Sequence, residues 1–181
     1  MKRILISALI GLAALTAGCT GTSGNANPTP TTGGGSSSTP TSDTGSASGL
    51  KALKPCDLLS GADATGLGLE LPGEAEKVAT SDGCSWKVTG NGRLRAGIRT
   101  EAGVKDLNLQ GDKVSDIKVG KFDATKVEAP DGAKSQCTVV IGVTESSSVA
   151  VIATLSLSSE DTAAACERAS KAADLIAPKL P

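Results

Sequence analysis

Between residues 84 and 99 the chain alternates apolar and polar side chains twice over. Cys84, Trp86 and Val88 alternate with Ser85, Lys87 and Thr89; Leu94, Ala96 and Ile98 alternate with Arg93, Arg95, Gly97 and Arg99. A period of two puts each set on one face of a strand, so the pattern predicts a hairpin with Cys84 and Trp86 on its buried side. A two-residue Asn91-Gly92 turn would place Val88 opposite Arg95 and mix apolar and cationic side chains on one face. A three-residue loop, Gly90-Asn91-Gly92, instead pairs Val88 with Leu94, Trp86 with Ala96 and Cys84 with Ile98. The opposite face of this ribbon then gathers Lys87, Arg93, Arg95 and Arg99.

Gln136 to Thr144 repeats the alternation, with Cys137, Val139, Ile141 and Val143 on one side. After a Glu145-Ser146-Ser147 loop come Val149, Val151, Ala153, Leu155 and Leu157, which predicts a second hairpin with Val143 near Val149 and Ile141 near Val151. Between the hairpins, Ile117 and Val119 and then Phe122 and Ala124 change face across Gly120, the signature of a bulge or bend. Pro130-Asp131-Gly132 reads as a turn. From Ser158 the period lengthens. Ser158 stands three positions before Asp161 as in a capping box, and Cys166, Ala169, Ala173 and Ile176 recur at helical spacing. At the other end, Pro55 ahead of Cys56-Asp57-Leu58-Leu59 suits a helix N-terminus. The predicted class is α+β: a mostly antiparallel twisted sheet with flanking N-terminal and C-terminal helices.

The chain ahead of residue 50 follows neither period. Lys2 and Arg3 precede an uncharged apolar run from Ile4 to Leu15, and small residues lead to Cys19. About twelve apolar residues are too few to cross ~30 Å of hydrocarbon, and the three-part layout is that of a secretory signal. Of the 30 residues from Thr20 to Gly49, 25 are Thr, Ser, Gly or Pro, and Asp43 is the only charge. Such a stretch cannot bury enough surface to offset the entropy of ordering, and as a coil it spans roughly 30 Å. The expected organisation is a signal peptide at 1–18, a modified Cys19 with a disordered tether to 49, and one globular α+β domain over 50–181.

Of five cysteines, four remain for that domain if Cys19 is modified: Cys56, Cys84, Cys137 and Cys166. An even number in an exported domain argues for two disulfides, with three possible connectivities. Pairing sequence neighbours joins each helix to a strand, Cys56 with Cys84 and Cys137 with Cys166. A bridge between the two strand cysteines, Cys84 and Cys137, is the competing arrangement. Each neighbour bridge closes a loop worth roughly 3–4 kcal/mol in the chain-entropy model. That matters in a domain whose core offers one Phe and one Trp beside 30 Val, Ile and Leu.

Composition then removes several chemistries. The chain of 181 residues has no His, so a Ser-His-Asp triad, a Cys-His pair and an imidazole-ligated metal are all closed off. Eighteen basic against nineteen acidic side chains leave no bulk attraction for nucleic acid. Asp106 to Asp112 imitates the opening of a calcium loop, but Ile117 stands where the bidentate Glu belongs. No Cys-x-x-Cys is present, and no cofactor or metal site is expected. The one concentration of a single charge sign on a folded element is Lys87, Arg93, Arg95 and Arg99, the candidate partner surface.

The residues before Cys19 resemble the lipobox of bacterial lipoproteins, with Thr16 where Leu is commonest. Together with the low-complexity tether, Pro55-Cys56-Asp57-Leu58-Leu59, Cys84-Ser85-Trp86, Val119-Gly120-Lys121-Phe122-Asp123-Ala124, Cys137-Thr138-Val139-Val140-Ile141-Gly142-Val143 and a Cys166 helix, the chain resembles the actinobacterial lipoprotein family catalogued as domain of unknown function 3558. The resemblance implies a Cys19 carrying diacylglycerol and palmitate-type acyl chains, attachment to the outer face of the cell membrane, and a sandwich domain like those of Mog1 and PsbP. It transfers no catalytic residue. The expected role is a lipid-anchored extracytoplasmic binding or accessory module serving an envelope protein or ligand. The alternative is a carboxylate-dependent envelope hydrolase or transferase.

Overall fold

A computed structural model describes residues 49–156 and 158–181; the signal segment, Cys19, the tether through residue 48 and Leu157 lie outside the described residues. Seven strands, β1 (Glu74–Val78), β2 (Ser81–Lys87), β3 (Arg93–Arg99), β4 (Gly111–Val119), β5 (Phe122–Pro130), β6 (Gln136–Thr144) and β7 (Ser147–Thr154), form one antiparallel sheet. Their order is β1-β2-β3-β7-β6-β5-β4. A short helix α1 (Gly61–Gly66) precedes the sheet and α2 (Thr162–Ile176) follows it.

Alternation decides which side of the sheet is covered. Cys84, Trp86, Leu94, Ala96, Ile98, Cys137, Val139, Ile141, Val149, Val151 and Ala153 all lie on one face, and all are buried. Helix α2 packs over β6 and β7 on that face, and a 3-10 turn at Pro55–Leu58 packs over β2 and β3. The buried stripe of α2 is Ala165, Cys166, Ala169, Ala172, Ala173 and Ile176. Alanine lets the helix approach closely but removes little apolar area from water, and each large core side chain is worth about 1.5–3 kcal/mol by comparison. Two disulfides, Cys56–Cys84 and Cys137–Cys166, tie these covering elements to β2 and β6. The neighbour pairing is therefore the one formed. Trp86 and the Cys84 sulfur both abut the backbone at Gly73, which places the indole beside the first bridge.

Several local expectations are corrected. In the first hairpin Trp86 pairs with Leu94 and Cys84 with Ala96, two positions away from the expected partners. The loop is Thr89-Gly90-Asn91, closed by Asn91 N–H donating to the Val88 carbonyl, with Gly90 at φ +70°. A slip of two leaves every side chain on its face, so alternation could not choose; the turn's demand for positive φ at its third residue did. The second hairpin slips the same way: Ile141 pairs with Val149 and Val139 with Val151, and the register shifts between Gly142 and Thr144. The change of face at Gly120 is a two-residue hairpin turn between β4 and β5, not a bulge. Gly120 there takes φ +58° at the first central position, as a type II′ turn requires.

Helix ends differ too. The N-cap of α2 is Asp161, whose carboxylate accepts from Ala164 N–H at 2.9 Å, rather than Ser158. The expected N-terminal helix at Cys56 is a single 3-10 turn, and α1 begins only after it. Pro55 fixes the first turn, while Ser60 carries the capping box with Asp63 that starts α1. Asp63 also accepts from Lys179 Nζ at 2.9 Å, and Lys179 donates to the Leu58 carbonyl at 2.8 Å, so both chain ends of the fold are clasped together. Hydrogen bonds from Lys179 and Ser60 hold the Asp63 carboxyl down at about 2 against an ordinary 3.8. A lowered folded-state value gives stability that is complete above about pH 4 and lost as pH falls toward 2. Asp63→Asn should flatten acid unfolding in that window, measured by circular dichroism against pH, while leaving the profile at neutral pH parallel to the wild type.

Candidate functional site

Among the described residues the second face of the sheet carries no α-helix, and its side chains are the other half of each alternation. Along β3 these are Arg93, Arg95, Gly97 and Arg99; β2 adds Ser81, Gly83, Ser85 and Lys87. The expectation that Lys87, Arg93, Arg95 and Arg99 share a face therefore agrees with the described strands. They are not four free cations, however. Arg95 is 9 % exposed, and its Nε donates to the Glu76 carboxylate of β1. Its Nη2 reaches the carbonyl and hydroxyl of Ser81 at 3.4 and 3.5 Å. Lys87 faces Glu74 at 3.9 Å with both side chains largely in solvent, a pair of small energetic weight. Arg93 is exposed.

Arg95 is buried because two glycines make room for it. A Cβ at Gly97 would stand 2.3 Å from Arg95 Nη1 and 2.6 Å from Ser81 Oγ, and one at Gly83 would stand 2.6 Å from Arg95 Nη2. The guanidinium thus lies flat across neighbouring strands on a shelf without side chains. Gly97→Ala should lift it off the shelf and cost about 1–3 kcal/mol, read as a lower midpoint in urea unfolding with unchanged slope.

Arg99, the next residue of this face, is half-buried and has no ion pair among the described residues. Its Nη1 is fully shielded from solvent and donates to nothing among the described residues. Burial, and after it the charge of Arg95, lowers the pKa of this guanidinium. Arg168 of α2 is also lowered by burial, but it has a partner: Nη1 donates to the Asn91 carbonyl at 3.0 Å.

A crossing segment shapes the other half of the face. β3 ends at Arg99 opposite Ser148, the start of β7, whereas β4 begins at Gly111 opposite Pro130, the end of β5. Residues 100–110 must therefore run from one end of the sheet to the other. They do so over the helix-free side, where a Cβ at Gly142 would meet Val104 at 3.3 Å and Ser148 Oγ donates to the Ala102 carbonyl at 2.8 Å. Between this strap and β4–β6 opens a groove of about 590 Å³. Asp116, Asp123, Thr125, Lys105 and Glu145 line it, with Lys121 set over the Phe122 ring at 4.9 Å. Lys105 pairs with Glu145 at 3.5 Å, Lys118 with Asp123 at 2.6 Å, and Thr125 donates to Asp116 at 3.3 Å.

Among the described residues no group of three His, Cys, Asp or Glu side chains is placed to hold a metal ion. The run from Asp106 to Asp112 forms the end of the strap and the first residues of β4. Sequence reading missed Glu76, the strap and the groove. Glu76 lies in β1, where the apolar residues Ala75 and Val78 fall three apart and give no period of two; the strap had no signal either, because its path depends on which strands end up neighbours.

A seven-stranded antiparallel sheet, clad on one side by disulfide-tied segments and crossed on the other by the 100–110 strap, defines a stapled α+β module. The chain belongs to the family described as protein of unknown function, DUF3558, whose model matches residues 14–179. No curated protein and no solved structure matches it.

Proposed function

We propose that the protein is a lipid-anchored binding or accessory module of the cell envelope, held by Cys19 on the extracytoplasmic side of the membrane, that engages its partner with the helix-free sheet face. The observation that carries the reading is the asymmetry of the sheet. One face is filled by α2 and the Pro55–Leu58 turn, while the other holds Arg95, Arg99 and the groove. Two disulfides accord with an oxidising compartment. The signal, lipobox and tether pattern, part of which falls inside the matched stretch from residue 14, supports the anchor. No described helix is long and apolar enough to cross a membrane. The finer kinship, to actinobacterial lipoproteins with Mog1- or PsbP-like sandwich domains, belongs to this same proposal.

The carboxylate-dependent alternative has one observation in its favour, the gathering of Asp116, Asp123 and Glu145 in one groove. Against it, Asp123 and Glu145 are each occupied by a lysine. A photo-crosslinking residue placed at Arg93, on the helix-free face, and in parallel at Lys171, on α2, tests the binding reading in the native envelope. Capture of the same species from position 93 and not from 171 is the expected result. Capture from 171 alone would overturn it.

A further inference from the structure

We propose that Arg99 anchors a binding site for one oxyanion, the carboxylate or phosphate group of a small soluble ligand, on the helix-free face beside Arg95. The inference rests on the reading of that face as the binding face, and it adds the chemistry of what is bound.

Two guanidinium groups lie on the same side of β3, separated by Gly97, but they are satisfied very differently. Arg95 has a carboxylate, Glu76, and two oxygens of Ser81. Arg99 has no carboxylate within ion-pair distance among the described residues, and its shielded Nη1 has no acceptor. Desolvating a guanidinium without a partner is costly, and buried charges in folded proteins are as a rule paired. An orphaned buried donor calls for an explanation of its own. Among the described residues one carboxylate, Glu76, is ion-paired with these two cations. Burial and, after it, the charge of Arg95 disfavour the charged state of Arg99. An oxyanion docked on Arg99 offsets that repulsion and supplies the missing counter-charge. A planar guanidinium takes carboxylate or phosphate oxygens in pairs, a geometry that a lysine does not reproduce. Arg99 as a residue is half-buried rather than sealed.

The shape of the face agrees with a small occupant. The Arg95 guanidinium fills the shelf over Gly83 and Gly97, and the nearest β2 side chain toward Arg99 is the short Ser81. The shelf that accommodates Arg95 keeps its guanidinium pointing along the strand over Gly97, toward Arg99. Arg95 is accordingly a positioning residue: its Nε and Nη2 are engaged by Glu76 and Ser81, and its charge raises the attraction of the neighbouring site for an anion.

The test uses the full chain in chloride buffer, with inorganic phosphate and, in a separate arm, acetate as probes. Phosphate or acetate should move the Arg99 Nε–Hε resonance saturably, and should raise Tm by about 3–6 °C at tenfold over its dissociation constant. Arg99→Met should abolish the Tm increment and match or exceed the wild-type Tm without anion, since the orphaned donor is gone. Lys171→Gln, on α2 and away from this face, should leave both readouts unchanged. Equal increments in wild type and Arg99→Met would mean general salt exclusion and would overturn the site. If Arg99→Met fails to fold, the wild-type titration still decides: an Arg99 resonance indifferent to both anions overturns the proposal. None of these failures touches the crosslinking or anchor tests, so loss of the oxyanion site and loss of the binding-face reading are told apart.

Discussion

Glu76→Ala is expected to destabilise the fold by about 3 kcal/mol, the lower end of the cost of stripping one partner from a buried ion pair. The Arg95 side chain is 11 % exposed and that of Glu76 29 %, so the carboxylate keeps some contact with water and the full penalty is not reached. What the substitution leaves behind is the larger part: a guanidinium on a glycine shelf with only Ser81 to receive it, beside a second unpaired cation. Chemical denaturation should show the midpoint falling with little change in slope. The double variant Glu76→Leu with Arg95→Met should recover most of the loss, because it removes both charges and refills the space. A double as unstable as Glu76→Ala would mean that the cost lies in packing rather than in the orphaned charge.

Loss of the second disulfide should be comparably severe and more specific in its outcome. Replacing Cys137 and Cys166 together by Ala should cost roughly 3–4 kcal/mol, the chain-entropy value for a closed loop of about thirty residues. Helix α2 depends on this bridge more than the Pro55–Leu58 turn depends on its own. Apart from Cys166 and Ile176, everything α2 buries is alanine, whereas the N-terminal segment brings Leu50, Leu58 and Leu59 into the core. Hydrogen exchange should therefore show α2 opening ahead of the sheet in the Cys137→Ala, Cys166→Ala variant. The Cys56→Ala, Cys84→Ala variant should keep α2 protected and lose less in Tm.

Period-two patterning carried most of the fold. It placed Cys84, Trp86, Cys137 and the two hairpins on the correct faces, and it put the four basic side chains on the opposite one. Patterning cannot distinguish registers that differ by two, since both keep every side chain on its side; hairpin turns made that choice through Gly90 and the bulge after Gly142. Pairing of sequence neighbours anticipated the two disulfides that form, but the residues alone left a Cys84–Cys137 bridge open. Burial of Arg95 was not legible. A basic residue reads as solvated until one knows that Gly83 and Gly97 flank it on adjacent strands and that β1 delivers Glu76 across two of them. Those neighbours are set by sheet order, which no local window contains. The groove, likewise, exists only because residues 100–110 must cross the sheet to reach its far edge.

Intact-mass and peptide mapping of the protein extracted from its native membranes tests the account most directly. A lipid-anchored, exported module predicts a chain that begins at Cys19, carries the mass of a diacylglycerol with its acyl chains, and presents no free thiol, with Cys56 linked to Cys84 and Cys137 to Cys166. A chain that retains residues 1–18, or one that starts near residue 19 without added lipid and with four titratable thiols, would contradict it.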